Sequence, residues 1–193
     1  MPPPSRTQSS ILRVWCCLLG AMFMLDGPGA FAADGPVRTL DVTFDGEAYV
    51  VNAVFFAPVP QAVAYDVLTD FEHLAKWVPN VTDSKVIKRD ETSVIVEQHG
   101  MARYGAASFP YTTERKIELK PPSAIKTVQI KGSMRRVEST LAIEPEGKGT
   151  KIVYHLEIVP SAFAGAVMSK KFVEHEVGEQ FGAIVGEMTR RSP

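Results

Sequence analysis

Cysteine is confined to one adjacent pair, Cys16 and Cys17, near the start of a chain of 193 residues. Both lie in an apolar run, Val14 to Leu25, which follows Arg6 and Arg13 and is broken by Gly27, Pro28 and Gly29. Ala30-Phe31-Ala32 then offers small residues at the two positions a signal peptidase reads. Residues 1–32 are therefore expected to be a secretory signal peptide cleaved after Ala32. The run is 12 residues long, short of the roughly 20 that span a bilayer, which argues against an uncleaved anchor. A lipoprotein cysteine would follow small residues at the end of such a run, whereas Cys16 and Cys17 stand near its beginning, behind Val14 and Trp15. Cleavage removes both cysteines, and with them any disulfide framework, thiol nucleophile or cysteine-based metal site.

Excess charge of either sign is also missing. With Arg6, Arg13 and Asp26 removed, 19 basic and 21 acidic residues remain, so there is no electrostatic case for nucleic acid or an anionic membrane surface. Histidine is sparse: His73, His99 and His155 stand singly, without ligand-spaced neighbours. His175-Glu176 opens like the zinc motif H-E-x-x-H, but Glu179 occupies the place of the second histidine, so no metal is expected. Nucleophile elbow, phosphate loop and dinucleotide fingerprint are all absent, and no cofactor is implied. Asn80-Val81-Thr82 matches a glycosylation sequon, relevant only in a eukaryotic secretory pathway. The partner is to be sought in apolar shape.

What the mature part does have is one domain's worth of patterned chain, residues 33–193, without repeats or low-complexity linkers. Val42 to Ala57 is rich in Val, Phe and Tyr and is broken at the turn-prone pair Asp45-Gly46, with Ala48–Ala57 expected as the main first strand. Pro60 suits the first turn of a helix that carries Val63, Val67 and Leu68 on one face up to Thr69. Asp70 is placed to cap a second short helix, Phe71–Trp77, ended by Pro79.

Strand patterning then runs from Val81 to Pro160: Lys85–Arg89, Thr92–Met101, Phe109–Lys120, Ala124–Lys131, Met134–Glu144 and Lys151–Val159. The separators are Asp90-Glu91, Pro121-Pro122, Gly132 and the turn-rich Pro145–Gly149. Alternation places Tyr111, Thr113, Arg115, Ile117 and Leu119 on one face. It likewise places Ile152, Tyr154, Leu156 and Ile158 together.

From Ser161, which can serve as a cap, one long helix is expected. Its apolar side carries Phe163, Ala166, Val167, Val173, Val177, Phe181, Ile184, Val185 and Met188. The fold class is α+β: an antiparallel curved sheet of about six to seven strands wrapped on a long C-terminal helix, because the apolar face of one sheet needs a cover.

This order resembles the helix-grip fold of the START/polyketide-cyclase-like (SRPBCC) superfamily. Tyr65-Asp66-Val67-Leu68-Thr69-Asp70-Phe71-Glu72-His73-Leu74, with Trp77-Val78-Pro79-Asn80 and Ser84-Lys85-Val86, resembles its coenzyme Q-binding, START-type branch. So does Gly149-Thr150-Lys151-Ile152-Val153-Tyr154 with Pro160 closing the strand. The resemblance spans about Val42 to Arg190. It implies a cavity between sheet and long helix that holds lipids, quinones, polyketides or other apolar molecules. The superfamily hosts carriers, hormone receptors and cyclases on one scaffold, so function must be read from the site.

The expected pocket is lined by Tyr111, Arg115, Ile117, Leu141, Ile143, Ile152, Tyr154, Leu156, Val173, Val177 and Phe181. The function expected is an exported, periplasmic carrier of a hydrophobic small molecule, with two alternatives. One is a polyketide cyclase or isomerase using Tyr154, Tyr111, Glu97 or His99 as acid–base groups. The other is an envelope protein whose interior is filled by its own side chains. Arg115, mid-strand on the inward face, either meets a polar head group, or pairs with Glu97 or Glu174, or snorkels to the rim, since buried charges need partners.

In the last helix Lys170 and Glu174 fall within the apolar face and Met168 and Phe172 opposite it. This points either to a gate at the pocket mouth or to a kink. Its glycines, Gly165, Gly178, Gly182 and Gly186, either weaken it or let the sheet approach closely. Tyr104–Tyr111 reads as a lip that contacts a membrane transiently or closes over ligand, or as a plain strand kink. The oligomeric state is left open.

Overall fold

The computed structural model describes residues 35–105 and 107–192; the expected signal segment lies outside them. Eight strands form one antiparallel sheet: β1 (Val37–Phe44), β2 (Tyr49–Ala57), β3 (Val81–Arg89), β4 (Ser93–Tyr104), β5 (Ala107–Lys120), β6 (Ala124–Gly132), β7 (Arg136–Glu146) and β8 (Gly149–Val159). Their spatial order is β1-β2-β8-β7-β6-β5-β4-β3. Strands β3 to β8 form a meander, and the last of them returns to pair with β2. The chain therefore crosses the whole sheet once, between β2 and β3. That crossing carries α1 (Gln61–Leu68) and a 3₁₀ turn (Phe71–Lys76).

Two helical elements close the chain, α2 (Ala162–Gly165) and α3 (Lys170–Arg191). Helix α3 touches β1 and β2 near one edge of the sheet and β4 near the other. A single helix reaches both margins only if the sheet curls around it, so the α+β helix-grip architecture is the one formed. Among the described residues no helix is long and apolar enough to cross a membrane.

Local chemistry accounts for most boundaries. The Asp45 carboxylate accepts the backbone N–H groups of Glu47 and Ala48, both at 2.8 Å, and Gly46 takes a positive φ, so β1 and β2 form a hairpin. The segment before Asp45 is thus a full edge strand from Val37, whereas the sequence pattern began only at Val42 and, beyond the break at Asp45-Gly46, made Ala48–Ala57 the main first strand. It is weakly patterned because an edge strand buries little, and here Val42 alone is buried. Pro60 occupies the position just before α1, not its first turn. Asp70 makes no capping bond to the 3₁₀ turn; instead its carboxylate accepts from His73 and Arg191. At the β7–β8 turn, Pro145 and Glu146 remain in the ladder, opposite Thr150 and Gly149. Only Gly147 and Lys148 turn there.

The terminal helix, expected to run unbroken, is interrupted. Ser161 does cap a helix, but α2 ends after one turn, and Ser169 caps a second start by accepting from Phe172 N–H. The Tyr49 hydroxyl donates to the Met168 carbonyl at 3.0 Å, fixing the break against β2. The break resets the helical phase. Met168 and Phe172 turn inward and are buried, Lys170 is exposed, and Phe163, expected on the apolar side, is 66% exposed. The glycines do not serve close packing: a Cβ added at Gly178, Gly182 or Gly186 would meet nothing within 4 Å.

Candidate functional site

Curling leaves space. Between the concave face of the sheet and α3 lies a cavity of about 280 Å³. The 3₁₀ turn and its flanks contribute Leu68, Phe71, Leu74, Trp77 and Val78. Met168, Phe172, Val173, Glu176, Val177, Gln180, Phe181 and Ile184 come from the break and α3, and β3 to β8, with Met134 from the β6–β7 connection, supply the rest. Strand parity selects the inward residues: Tyr111, Arg115 and Ile117 on β5, and Tyr154, Leu156 and Ile158 on β8.

Of the eleven residues expected at the pocket, Tyr111, Arg115, Ile117, Leu141, Tyr154, Leu156, Val173, Val177 and Phe181 line the cavity. Ile143 and Ile152 do not. They face each other across β7 and β8 on the same inward face, but at the end where α1 packs and Gln61 Nε2 donates to the Ile143 carbonyl at 2.7 Å. Phe55, paired with Ile152, stacks on Phe181 with ring centroids 3.9 Å apart and seals that end. Parity determines the face but not the depth.

The candidate acid–base groups divide in the same way. Glu97 and His99 pair with each other at 3.4 Å and are both roughly half exposed, because the residues of β4 that face inward are Val94, Val96, Gln98 and Ala102. Tyr111 and Tyr154 do face the cavity. Burial pushes each hydroxyl up to about 12, against a smaller opposing pull from Arg115, so both are neutral donors at ordinary pH.

Arg115 meets neither Glu97 nor Glu174. Its Nη2 donates to Gln98 Oε1, and its Nε is buried without a partner. Desolvation pushes the guanidinium below the usual arginine value, yet such a group stays charged. Gln98 is itself held: its Nε2 donates to Ser84 Oγ at 3.0 Å, and Ser84 Oγ donates to the Phe71 carbonyl at 2.5 Å. With the amide nitrogen committed to Ser84, the amide oxygen must face Arg115. Gln98 was not among the residues expected at the site. It shares strand parity with Val94 and Val96, and that polar residue in an apolar register was the available signal.

Glu176 is the second residue the sequence reading passed over, beyond its place in the broken zinc motif. Its oxygens accept from Asn80 Nδ2 at 2.5 Å and Arg103 N–H at 2.8 Å. Burial raises its carboxyl above the ordinary value, and the two hydrogen bonds oppose this. Its spacing of three from Val173, which was expected on the apolar side, would have put it on the inward face. His175, Glu176 and Glu179 bring one ligand atom each within 4.8 Å of one another, but both oxygens of Glu176 are already engaged. Asn80, the sequon residue, is 3% exposed and so offers no acceptor surface for a glycan. The expected lip is a tight hairpin, with Tyr104 and Ala107 paired across Gly105, which has a positive φ.

A sheet curled on a terminal helix, with a largely apolar cavity between them, defines a START-like helix-grip protein. The model of the family "Polyketide cyclase / dehydrase and lipid transport" matches residues 57–183, and the chain belongs to that family. No curated protein matches the sequence. Among solved structures, TTHA0849 from Thermus thermophilus is 19% identical with a TM-score of 0.65, over 75% of this chain and 99% of that one. The Zhui aromatase/cyclase from Streptomyces sp. R1128 is 16% identical with a TM-score of 0.63, over 75% and 95%. A STAR-related lipid transfer protein from Xanthomonas axonopodis is 13% identical with a TM-score of 0.56, over 78% and 98%. At these identities the likeness is one of fold.

Proposed function

We propose that this protein is an exported, non-catalytic carrier that holds a hydrophobic small molecule in the cavity between sheet and terminal helix. The observation that carries this reading is the unfilled space of about 280 Å³, walled mainly by aliphatic and aromatic side chains. Binding there would draw on apolar burial at roughly 25 cal/mol per Å² before association costs, with the few polar groups orienting the guest. Lipids, quinones and polyketide-like molecules fit this description. The similarity of Tyr65–Leu74 to the coenzyme Q-binding branch favours including quinones. Export to the periplasm rests on Arg6, Arg13, the apolar run and Ala30-Phe31-Ala32. Mass spectrometry of organic extracts of the purified protein tests the reading: a stoichiometric apolar guest is expected. An empty protein with no affinity for apolar probes would overturn it.

A cyclase is the second reading, favoured by Tyr154 and Arg115 facing the same cavity. A protonated tyrosine beside a guanidinium could donate to a substrate carbonyl. It predicts turnover that Tyr154→Phe abolishes. Binding without turnover, unchanged in that variant, excludes it.

A further inference from the structure

We propose that the guest is an acid: an apolar molecule ending in one anionic oxygen group, a carboxylate, enolate or phenolate, seated on Arg115. This rests on the carrier reading and narrows it. Arg115 is a permanent cation in the cavity wall, and no carboxylate of the described residues bonds to it. Glu97 lies on the opposite face of the sheet. Glu176, the acid that lines the cavity, gives its two oxygens to Asn80 and Arg103. Tyr111 and Tyr154 remain protonated and cannot neutralise it. The protein partner it does have is the neutral Gln98 amide, and its Nε has none.

A lone buried charge is costly to a fold. Here the cost is accompanied by dedicated support, because the chain from Phe71 through Ser84 and Gln98 orients the guanidinium from behind. A neutral guest would need no cation. A guest of opposite charge supplies the missing counter-ion in a water-poor site, where charge-assisted hydrogen bonds are strong.

Three probes of one chain length separate the possibilities: dodecanoate, dodecanol and dodecylammonium, titrated into the purified protein at neutral pH by displacement of an apolar fluorophore. Dodecanoate is expected to bind roughly tenfold or more tightly than dodecanol, and dodecylammonium more weakly than either. Arg115→Gln should erase the preference, so that dodecanoate binds no more tightly than dodecanol. Dodecanol binding as tightly as dodecanoate to the unmodified protein, or a preference that survives Arg115→Gln, would overturn the inference and leave the carrier reading standing. No binding of any probe would overturn the carrier reading itself. The comparison within the unmodified protein decides the point even if the variant fails to fold.

Discussion

Tyr111 crosses directly over Gly100 to set its hydroxyl on the Asn80 carbonyl at 3.1 Å. A Cβ at Gly100 would lie 2.1 Å from that carbonyl oxygen and 2.4 Å from the tyrosine ring and hydroxyl. The contact is therefore available only to glycine. It joins the cavity wall on β5 to the start of β3, and Asn80 continues the link to Glu176 on α3. Gly100→Ala is expected to expel Tyr111 from this position and to cost about 1–3 kcal/mol through overpacking. Urea denaturation would measure the loss. Unchanged stability together with an undisturbed Tyr111 would refute the assignment.

Glu176 and Asn80 make an asymmetric pair. The Asn80 Oδ1 atom is buried without a partner, so a flip of that amide could accept a donor from position 176. Glu176→Gln is therefore expected to be tolerated. Glu176→Ala should cost about 1–3 kcal/mol, because it leaves the buried Asn80 amide donor unsatisfied and removes the acceptor of the part-buried Arg103 N–H. The folded-state pKa of Glu176 is raised, so its stabilising contribution is present below the ordinary value of 4.5 and is lost as pH rises through the folded value. Glu176→Gln should flatten that decline, as thermal melts across the acid-to-neutral range would show.

Glu187 behaves in the opposite sense. Hydrogen bonds from Arg190 and then Arg191 hold its carboxyl down at about 2, against an ordinary 4.5. Arg191 also reaches Asp70 at 2.6 Å, tying the end of α3 to the 3₁₀ turn. A depressed carboxylate stabilises above its unfolded value, so this contribution is complete above about pH 4.5 and disappears as pH falls toward 2. Glu187→Gln should cost about 1 kcal/mol at neutral pH, since the Arg190 side of the pair is largely exposed and screened. It should also reduce the slope of stability between those two values. A slope equal to that of the unmodified protein would count against the network.

Gly186 lies on the exposed side of α3, where a Cβ meets nothing within 4 Å. Gly186→Ala should raise stability by about 0.5–1 kcal/mol, from helix propensity and a less flexible unfolded chain. A destabilised variant in denaturant titrations would mean that the fold needs the glycine for another reason.

Much of this molecule was legible in advance where the determinant is local. Alternation along β5 and β8 sorted Tyr111, Arg115, Ile117, Tyr154 and Leu156 to the inner face, because successive strand residues must point to opposite sides. Apolar spacing in the C-terminal segment marked Val173, Val177 and Phe181 as facing the sheet. Glu97 and His99 stood one residue out of phase with the inward Gln98, and the same alternation, applied to β4, would have excluded them.

What local pattern could not supply was depth, phase and partnership. Ile143 and Ile152 share the face of the cavity residues yet sit where α1 and Phe55 fill the space, which depends on elements far away in sequence. Ser169 restarts the helix because Tyr49, on a distant strand, anchors the Met168 carbonyl. By itself the sequence determined which strand residues turn inward, since successive side chains along a strand must alternate between its two faces. Tertiary structure alone decided that those inward residues leave a cavity and that Arg115 enters it without a carboxylate, because both depend on how far the sheet curls before it meets α3.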